Sequence, residues 1–291
     1  MKQELVRINS IDGIQLPGIL YTPESNTKKI VIHVHGLNGN FYENNFLDEI
    51  SKSYTKIGYA FLTFNNRGRG FISEFWRGKE CVVIGSSFEK FKECILDIEG
   101  VVNYAKESGY EEIILEGHSY GCNKVLYYYN KKRDKSIKKI VLLAPCDIPA
   151  ELKKFLSEDE YEKAEKDATK LVNEGKENEL IDFSILANGK IAAVTYYNDF
   201  LPGGEDDFIR YREGKDAKSE VLENINIPVL IIFGDNDECV LTVPIQDVQE
   251  YLQNNLKNCD IQIINGTDHE YTDKYKELGK IIERRITWKN I

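Results

Sequence analysis

Histidine, tryptophan and paired cysteine motifs are scarce or missing in this sequence. It has four His and two Trp, and none of its six Cys lies in a Cys-x-x-Cys pair. Most of these cysteines sit within apolar runs, which is typical of reduced thiols and not of a disulfide or zinc framework. We therefore expect no structural metal.

Long apolar segments are also missing. No run approaches the roughly 20 apolar residues that a membrane-spanning helix needs, and residues 1–7 lack the apolar core of a signal peptide. Basic residues are outnumbered, with 38 Lys and Arg against 48 Asp and Glu, so the net charge of -10 disfavours nucleic acid and anionic membranes as partners. We expect a cytoplasmic protein; nothing in the sequence indicates its oligomeric state.

Apolar runs rich in Val and Ile alternate with helix-period segments, which is typical of a parallel sheet built from βαβ units. The predicted fold class is therefore α/β, with helices flanking the sheet. The turn signal Asp12-Gly13 between two short runs predicts an N-terminal antiparallel hairpin. Helices are expected over 86–108, begun by a capping box of Ser86 and Glu89, and over 272–285. Strands are expected over 5–9, 14–21, 30–35, 60–64, 113–116, 140–144, 229–233 and 261–264.

In the middle of the chain this alternation stops, and a highly charged helical stretch over 151–179 follows. We expect an α/β core domain of residues 1–146 and 227–291, interrupted by a helical cap at 147–226. Residues 147–224 hold 20 acidic and 11 basic residues, so most of the negative charge falls on this cap. A cap of this charge is expected to favour neutral or cationic substrates over anionic ones.

The motif Gly117-His118-Ser119-Tyr120-Gly121 places a serine between two glycines. The predicted strand 113–116 ends directly at this motif, and residues 123–129 predict a helix that follows it. At such a strand-turn-helix corner a serine adopts a strained backbone that exposes its hydroxyl above the sheet. Ser119 is therefore the predicted nucleophile; a serine in an ordinary glycine-bounded turn is the alternative.

A serine hydroxyl needs a general base, and only four histidines are available. His269 is the predicted base because it follows the strand 261–264 on a loop that can reach the carboxyl edge of the sheet. A surface histidine in a glycine-containing loop is the alternative. The other three are expected elsewhere: His33 within a strand, His35 in a turn, and His118 beside the nucleophile with its side chain turned away.

The imidazole must be held in one tautomer by a carboxylate, which precedes the base in chains with this corner. The strand 229–233 ends in Gly234-Asp235-Asn236-Asp237. Asp237 is the predicted acid because the turn lets it reach over the sheet edge, whereas Asp235 has the position of a turn-capping aspartate. Asp147, which follows the strand 140–144, is the second candidate.

Two backbone N–H groups are predicted to stabilise an oxyanion. One belongs to Tyr120, which follows the nucleophile. The other belongs to Leu37, in the glycine-containing turn Val34-His35-Gly36-Leu37-Asn38-Gly39. His35 is expected to form its hydrogen bonds within that turn.

These residues together resemble the α/β-hydrolase superfamily over essentially the whole chain. The resemblance is carried by His35-Gly36, Arg67-Gly68, the motif 117–121, the turn 234–237 and His269. It implies transfer of an acyl group to water through an acyl-serine. A narrower resemblance, to a poorly characterised subgroup that includes siderophore esterases, implies an ester or lactone substrate. The residues that carry it are Asp97-Ile98, 117–124, and 201–208 with Asp206-Asp207.

The sequence thus predicts a serine hydrolase that acts on a small-molecule ester with no cofactor and no metal. Its predicted triad is Ser119, Asp237 and His269, with Leu37 and Tyr120 forming the oxyanion hole. A thioesterase or small peptidase uses the same machinery and differs only in the pocket. A ligand-binding protein that keeps the fold without catalysis is the alternative from another class, although it has no need of all three triad residues.

Overall fold

The structure is a computed structural model that describes residues 1–183 and 189–287. Eight of its strands form one central sheet, in the spatial order β1-β2-β4-β3-β7-β8-β11-β12, and two small hairpins pair β5 with β6 and β9 with β10. In chain order the strands are β1 (Lys2–Asn9), β2 (Gln15–Thr22), β3 (Lys29–Val34), β4 (Ala60–Phe64), β5 (Glu74–Arg77), β6 (Glu80–Val83), β7 (Glu112–His118), β8 (Ile137–Leu143), β9 (Leu180–Phe183), β10 (Gly189–Ala192), β11 (Val229–Gly234) and β12 (Cys259–Ile264).

The central sheet is mostly parallel. β1 and β2 form an antiparallel hairpin, β2 also pairs antiparallel with β4, and the other neighbouring strands are parallel. All residues of β4 and β11 are buried, as expected for strands covered on both faces. The predicted α/β class, mostly parallel sheet and N-terminal hairpin are confirmed. Because the parallel strands share one direction, the loops after β3, β7, β11 and β12 meet at one edge.

The helices are α1 (Phe46–Lys56), α2 (Cys94–Glu107), α3 (Tyr120–Lys132), α4 (Ile148–Phe155), α5 (Glu158–Asn173), α6 (Ala193–Thr195), α7 (Glu220–Glu223), α8 (Ile245–Asn255) and α9 (Tyr275–Ile286). α1, α2, α3, α8 and α9 contact the central sheet and flank it. α1 packs against α9, and α2 packs against α3. Across the described ranges, none of these helices combines the length and apolar character that crossing a bilayer requires.

The chain between β8 and β11 adds no strand to the central sheet in the part that the structure describes. It contains α4, α5, the hairpin of β9 and β10, α6 and α7; residues 184–188 of the predicted cap lie outside the described residues. α5 begins with a capping box at Ser157 and buries Tyr161, Ala164 and Ala168. Its acidic side chains mostly face solvent, so much of the charge of this segment lies on an outer surface.

The helix predicted over 86–108 begins later than expected. A 3-10 turn at Phe91–Glu93 precedes α2, so the predicted capping box of Ser86 and Glu89 is wrong. Glu89 is buried and its carboxylate accepts a hydrogen bond from Lys124 Nζ at 2.6 Å. A buried ammonium needs such a partner, and this requirement determines where the Glu89 side chain points.

Candidate active site

Ser119 lies at the corner between β7 and α3 with φ 54° and ψ -129°, a backbone conformation that is strained for a residue with a Cβ. Its N–H donates to the Leu143 carbonyl at 2.9 Å, and its own carbonyl accepts from the Cys122 N–H at 2.8 Å. A Cβ at Gly121 would overlap the Val34 carbonyl oxygen, so glycine permits α3 to approach β3 closely. These contacts hold the strained corner in place.

His269 and Asp237 are joined by a hydrogen bond of 2.9 Å between Nδ1 and Oδ1. Asp237 is fully buried, and the same oxygen accepts two backbone N–H groups at 2.9 and 3.0 Å. A Cβ at Gly234 would overlap the Thr267 carbonyl oxygen, so this glycine lets the loops after β11 and β12 touch. With Nδ1–H donating to the carboxylate, Nε2 of His269 is left as a proton acceptor.

The pKa of His269 is set by opposing effects. Burial lowers it, but the negative charge of Asp237 and its hydrogen bond raise it, and so does the neighbouring thiol of Cys239. The pKa of the imidazole therefore lies well above its ordinary value. The interaction with Asp237 thus stabilises the imidazolium that forms when His269 takes up a proton.

Ser119 and His269 line one cavity of about 510 Å³, together with Leu37 and His118. In the described residues no hydrogen bond joins the Ser119 hydroxyl to His269. Such contacts are often long in a free enzyme and tighten when substrate binds. A cleft of about 650 Å³ along α9 is larger, but charged surface side chains line most of it and it contains no candidate nucleophile.

Two backbone donors beside Ser119 are unused. Neither the N–H of Leu37 nor that of Tyr120 has an acceptor within the described ranges. The turn that carries Leu37 is fixed by His35, whose Nδ1 lies 2.8 Å from the Gly36 carbonyl while its Nε2 accepts the Asn66 N–H at 3.1 Å. Burial lowers the pKa of His35 to about 3, so the ring is neutral and supports the turn.

The other aspartates considered from the sequence have different partners. Asp147 caps α4 by accepting the Ala150 N–H at 3.4 Å, and it forms an ion pair with Arg212. Asp235 accepts the Gly266 N–H at 2.6 Å and so ties the two loops together. Of these three aspartates, Asp237 is the one that contacts the imidazole.

The expectation that the side chain of His118 turns away from the site is wrong. Its Nε2 lies 3.1 Å from the His269 carbonyl oxygen, and the two ring centroids are 4.9 Å apart. Burial lowers the pKa of His118 well below its usual range, so the ring is neutral and can donate to that carbonyl. His118 therefore contacts the backbone of His269. The sequence signal for this contact is that His118 lies inside the serine motif, next to Ser119.

Two further residues at the cavity were not predicted from the sequence. Cys239 follows Asp237 by two positions, and its thiol interacts with His269. Glu151, from the first turn of α4, brings a carboxylate to the cavity wall. Ligand atoms of Asp237, Cys239 and His269 lie within 4.8 Å of one another, a donor set that suits zinc. The expected absence of a metal stays a prediction.

Comparison with known proteins gives the family. A family model described as "Protein of unknown function (DUF1749)" matches residues 16–289. The chain belongs to this family. The chain is also 22% identical over 292 residues to "Putative esterase/lipase 3" of Mycoplasma genitalium. This match covers 95% of this chain and 93% of that relative.

Solved structures show the fold of this DUF1749 protein. Est1E from Butyrivibrio proteoclasticus, determined with ferulic acid bound, superposes with a TM-score of 0.66 at 21% identity and covers 97% of both chains. The α/β hydrolase GrgF from Penicillium sp. sh18 also gives a TM-score of 0.66, at 16% identity, over 98% of this chain and 97% of that one. The protein therefore has the α/β-hydrolase fold that the sequence motifs indicated.

Proposed function

We propose that this protein is a serine hydrolase that cleaves a carboxylic ester or lactone through an acyl-serine intermediate. The observation that carries the proposal is the strained Ser119 corner, which shares a cavity with His269, the imidazole that is hydrogen-bonded to Asp237. The name of one relative, "Putative esterase/lipase 3", and the ferulic acid bound to Est1E favour an ester over an amide.

In the proposed reaction, Ser119 Oγ bonds to the ester carbonyl carbon while its proton passes to His269 Nε2. Asp237 keeps Nδ1–H oriented and stabilises the imidazolium that forms. The unused N–H groups of Leu37 and Tyr120 lie beside Ser119, where they can donate to the oxyanion. The alcohol leaves with the proton from His269, and water then cleaves the acyl-serine by the same proton path to release the acid.

The test is labelling with a fluorophosphonate probe, with the modified peptide mapped by mass spectrometry, together with hydrolysis of small activated esters. We expect the label on Ser119, and we expect Ser119→Ala to lower the rate on the order of 10⁴ to 10⁶ because the acyl-serine cannot form. Ser108→Ala, on the exposed end of α2, is the matched control and should retain full activity.

Substantial hydrolysis by a folded Ser119→Ala protein would remove Ser119 from the role of nucleophile. A wild-type protein that neither takes the label nor hydrolyses any activated ester would favour the ligand-binding alternative.

A further inference from the structure

The thiol of Cys239 lies beside the proposed base. Side-chain hydrogen bonds link this thiol to His269 and to Glu151, and the Cys239 backbone N–H donates to Asp237 Oδ1 at 3.0 Å. The proposed reaction uses the side chains of Ser119, His269 and Asp237 but gives the thiol no task. Cys239 is therefore a metal-ligating group at the site that the mechanism does not explain.

Three metal-ligating side chains converge at this point. Ligand atoms of Cys239, His269 and Asp237 lie within 4.8 Å of one another, and no other group of three or more His, Cys, Asp or Glu that could hold an ion occurs across residues 1–183 and 189–287. Around a tetrahedral zinc, with bonds of about 2.0–2.3 Å, neighbouring ligand atoms lie roughly 3.3–3.7 Å apart. A small rotation of the Cys239 side chain therefore brings the three atoms around one ion.

Asp237 has an oxygen to offer such an ion. Its Oδ1 accepts hydrogen bonds from the imidazole and from two backbone N–H groups, but Oδ2, although buried, has no hydrogen-bond partner among the described residues. Buried carboxylate oxygens almost always have a partner, because removing one from water without compensation costs free energy. Oδ2 can therefore bind a cation without giving up an existing contact.

This donor set suits zinc. Zinc binds thiolate, imidazole and carboxylate together, whereas Mg²⁺ and Ca²⁺ take oxygen ligands. Cys239 and His269 line the cavity of about 510 Å³, so an ion can reach them from solvent and keep a water as its fourth ligand. Burial raises the pKa of the Cys239 thiol to about 12, so zinc must displace the thiol proton into solvent when it binds. We therefore expect reversible binding, weaker than at a structural zinc site.

We propose that Cys239, His269 and Asp237 form a zinc site and that zinc bound there reversibly inhibits hydrolysis. The inhibition rests on the proposed function, but binding of the ion does not. Zinc on Nε2 of His269 takes the lone pair that would accept the Ser119 proton. Zinc on Nδ1 replaces the hydrogen bond to Asp237 and leaves the ring proton on Nε2, so the imidazole cannot accept a proton there either. The ion acts as an inhibitor and not as a cofactor, so a reaction without a metal stays the prediction.

Cobalt tests the site without depending on turnover. Co²⁺ accepts the same ligands as zinc, and a thiolate bound to it gives a sulfur-to-metal charge-transfer absorption in the near ultraviolet. We expect this absorption from the wild type and from Ser119→Ala, we expect zinc to abolish it, and we expect none from Cys239→Ser. Competition with a coloured chelator should show zinc binding to Cys239→Ser at least about 100-fold more weakly, because losing a ligand costs no less than losing an outer-shell partner.

Cys81→Ser is the matched control. Cys81 is an exposed thiol on β6 and belongs to no group of converging ligands among the described residues. This variant should keep the cobalt absorption and the zinc affinity of the wild type.

Inhibition is measured with an activated ester over a series of zinc concentrations. The rate of each protein is divided by its own rate in EDTA, so that a change in basal rate does not enter the comparison. Half-inhibition of Cys239→Ser should need at least about 100-fold more zinc than half-inhibition of the wild type or of Cys81→Ser.

Several outcomes would contradict the inference. A wild type without the charge-transfer absorption would overturn the site, and so would equal zinc affinities of the wild type and Cys239→Ser. Bound zinc that leaves hydrolysis unchanged would overturn the inhibition. A wild type that loses activity in EDTA and regains it with zinc would overturn it too, because the ion would then be a cofactor. The absorption in a protein that hydrolyses no ester would contradict the proposed function alone.

Discussion

Two clusters of buried charge lie near the Ser119 corner and differ in how their charge is balanced. The open cluster consists of Asp237, Cys239, His269 and Glu151, and it meets the cavity. Its imidazole and its Glu151 carboxylate remain available to a ligand.

The closed cluster consists of Glu89, Lys124 and Asn66. Lys124 Nζ donates to Glu89 at 2.6 Å and to the Asn66 side-chain oxygen at 3.3 Å. Its ammonium also lies 5.2 Å from the centre of the Tyr120 ring, and both charged side chains are almost completely buried. This cluster satisfies its charges internally and offers nothing to a ligand.

The comparison indicates that accessibility, and not residue type, separates a structural ion pair from a reactive one. Changes in the open cluster should therefore alter rates while leaving the free energy of unfolding nearly unchanged. Changes in the closed cluster should do the reverse.

Asp237→Asn is expected to have the largest effect on rate among the substitutions that test this comparison. An asparagine can donate to Nδ1, which favours the tautomer of His269 whose Nε2 is protonated and cannot accept the Ser119 proton. Losses of this kind are on the order of 10⁴ in kcat. The measurement is kcat for an activated ester, with urea unfolding of the same preparation to show that stability is retained.

Asp235→Asn is the matched control, because it lies two positions away in the same loop and contacts the Gly266 backbone. We expect a mild loss. If Asp235→Asn lowered kcat as much as Asp237→Asn does, the acid would be assigned to the wrong aspartate.

Lys124→Met is expected to have the largest effect on stability. Methionine fills the volume of the lysine side chain but leaves the Glu89 carboxylate buried without a cation, which costs about 3–5 kcal/mol in the free energy of unfolding. Urea unfolding measures the loss. The double variant Lys124→Met/Glu89→Gln should recover part of it, because no uncompensated charge then remains.

Lys131→Met provides the control on the same helix, since Lys131 is exposed and lies over the Tyr127 ring. Its effect should stay within about 0.5 kcal/mol. Equal effects of the two lysine variants would mean that burial of the pair has no special importance.

The sequence revealed the parts of the site that follow strands. Ser119, Asp237 and His269 each lie in the turn or loop that follows a predicted strand. Because parallel strands bring their carboxyl ends to one edge, the proximity of these residues could be predicted from the order of elements. The hydrogen bond between Asp237 and His269 is the contact that this reasoning anticipated.

The parts that depend on side-chain packing could not be predicted. Glu151 opens a run of acidic residues, and nothing in that run distinguishes the one that faces the cavity from those that face solvent. Ser86 and Glu89 have the spacing of a capping box, yet Glu89 is held by Lys124 from α3, a partner 35 positions away. The spacing of neighbouring residues in the sequence gives no indication of such long-range ion pairs.

Asp147→Asn tests a third arrangement, in which a buried acid is paired but its burial still dominates. Burial raises the pKa of Asp147 to about 6 from 3.8, even though Arg212 and backbone N–H groups lower it. The folded state then binds a proton more tightly than the unfolded state does. The protonated Asp147 carboxyl therefore stabilises the folded state below about pH 4. This contribution to the free energy of unfolding, on the order of 2–3 kcal/mol, is lost as pH rises through 6.

The measurement is the free energy of urea unfolding of wild type and Asp147→Asn at intervals from pH 4 to pH 7. Because asparagine does not titrate, the wild type should lose stability relative to the variant over this range, while contributions from the other groups cancel in the difference. Asp147 lies outside the proposed triad, so kcat at pH 7 should be retained. A difference that stays constant from pH 4 to pH 7 would show that Arg212 compensates the Asp147 charge fully. The pair of Asp147 and Arg212 would then resemble the closed cluster, in which the charges compensate each other.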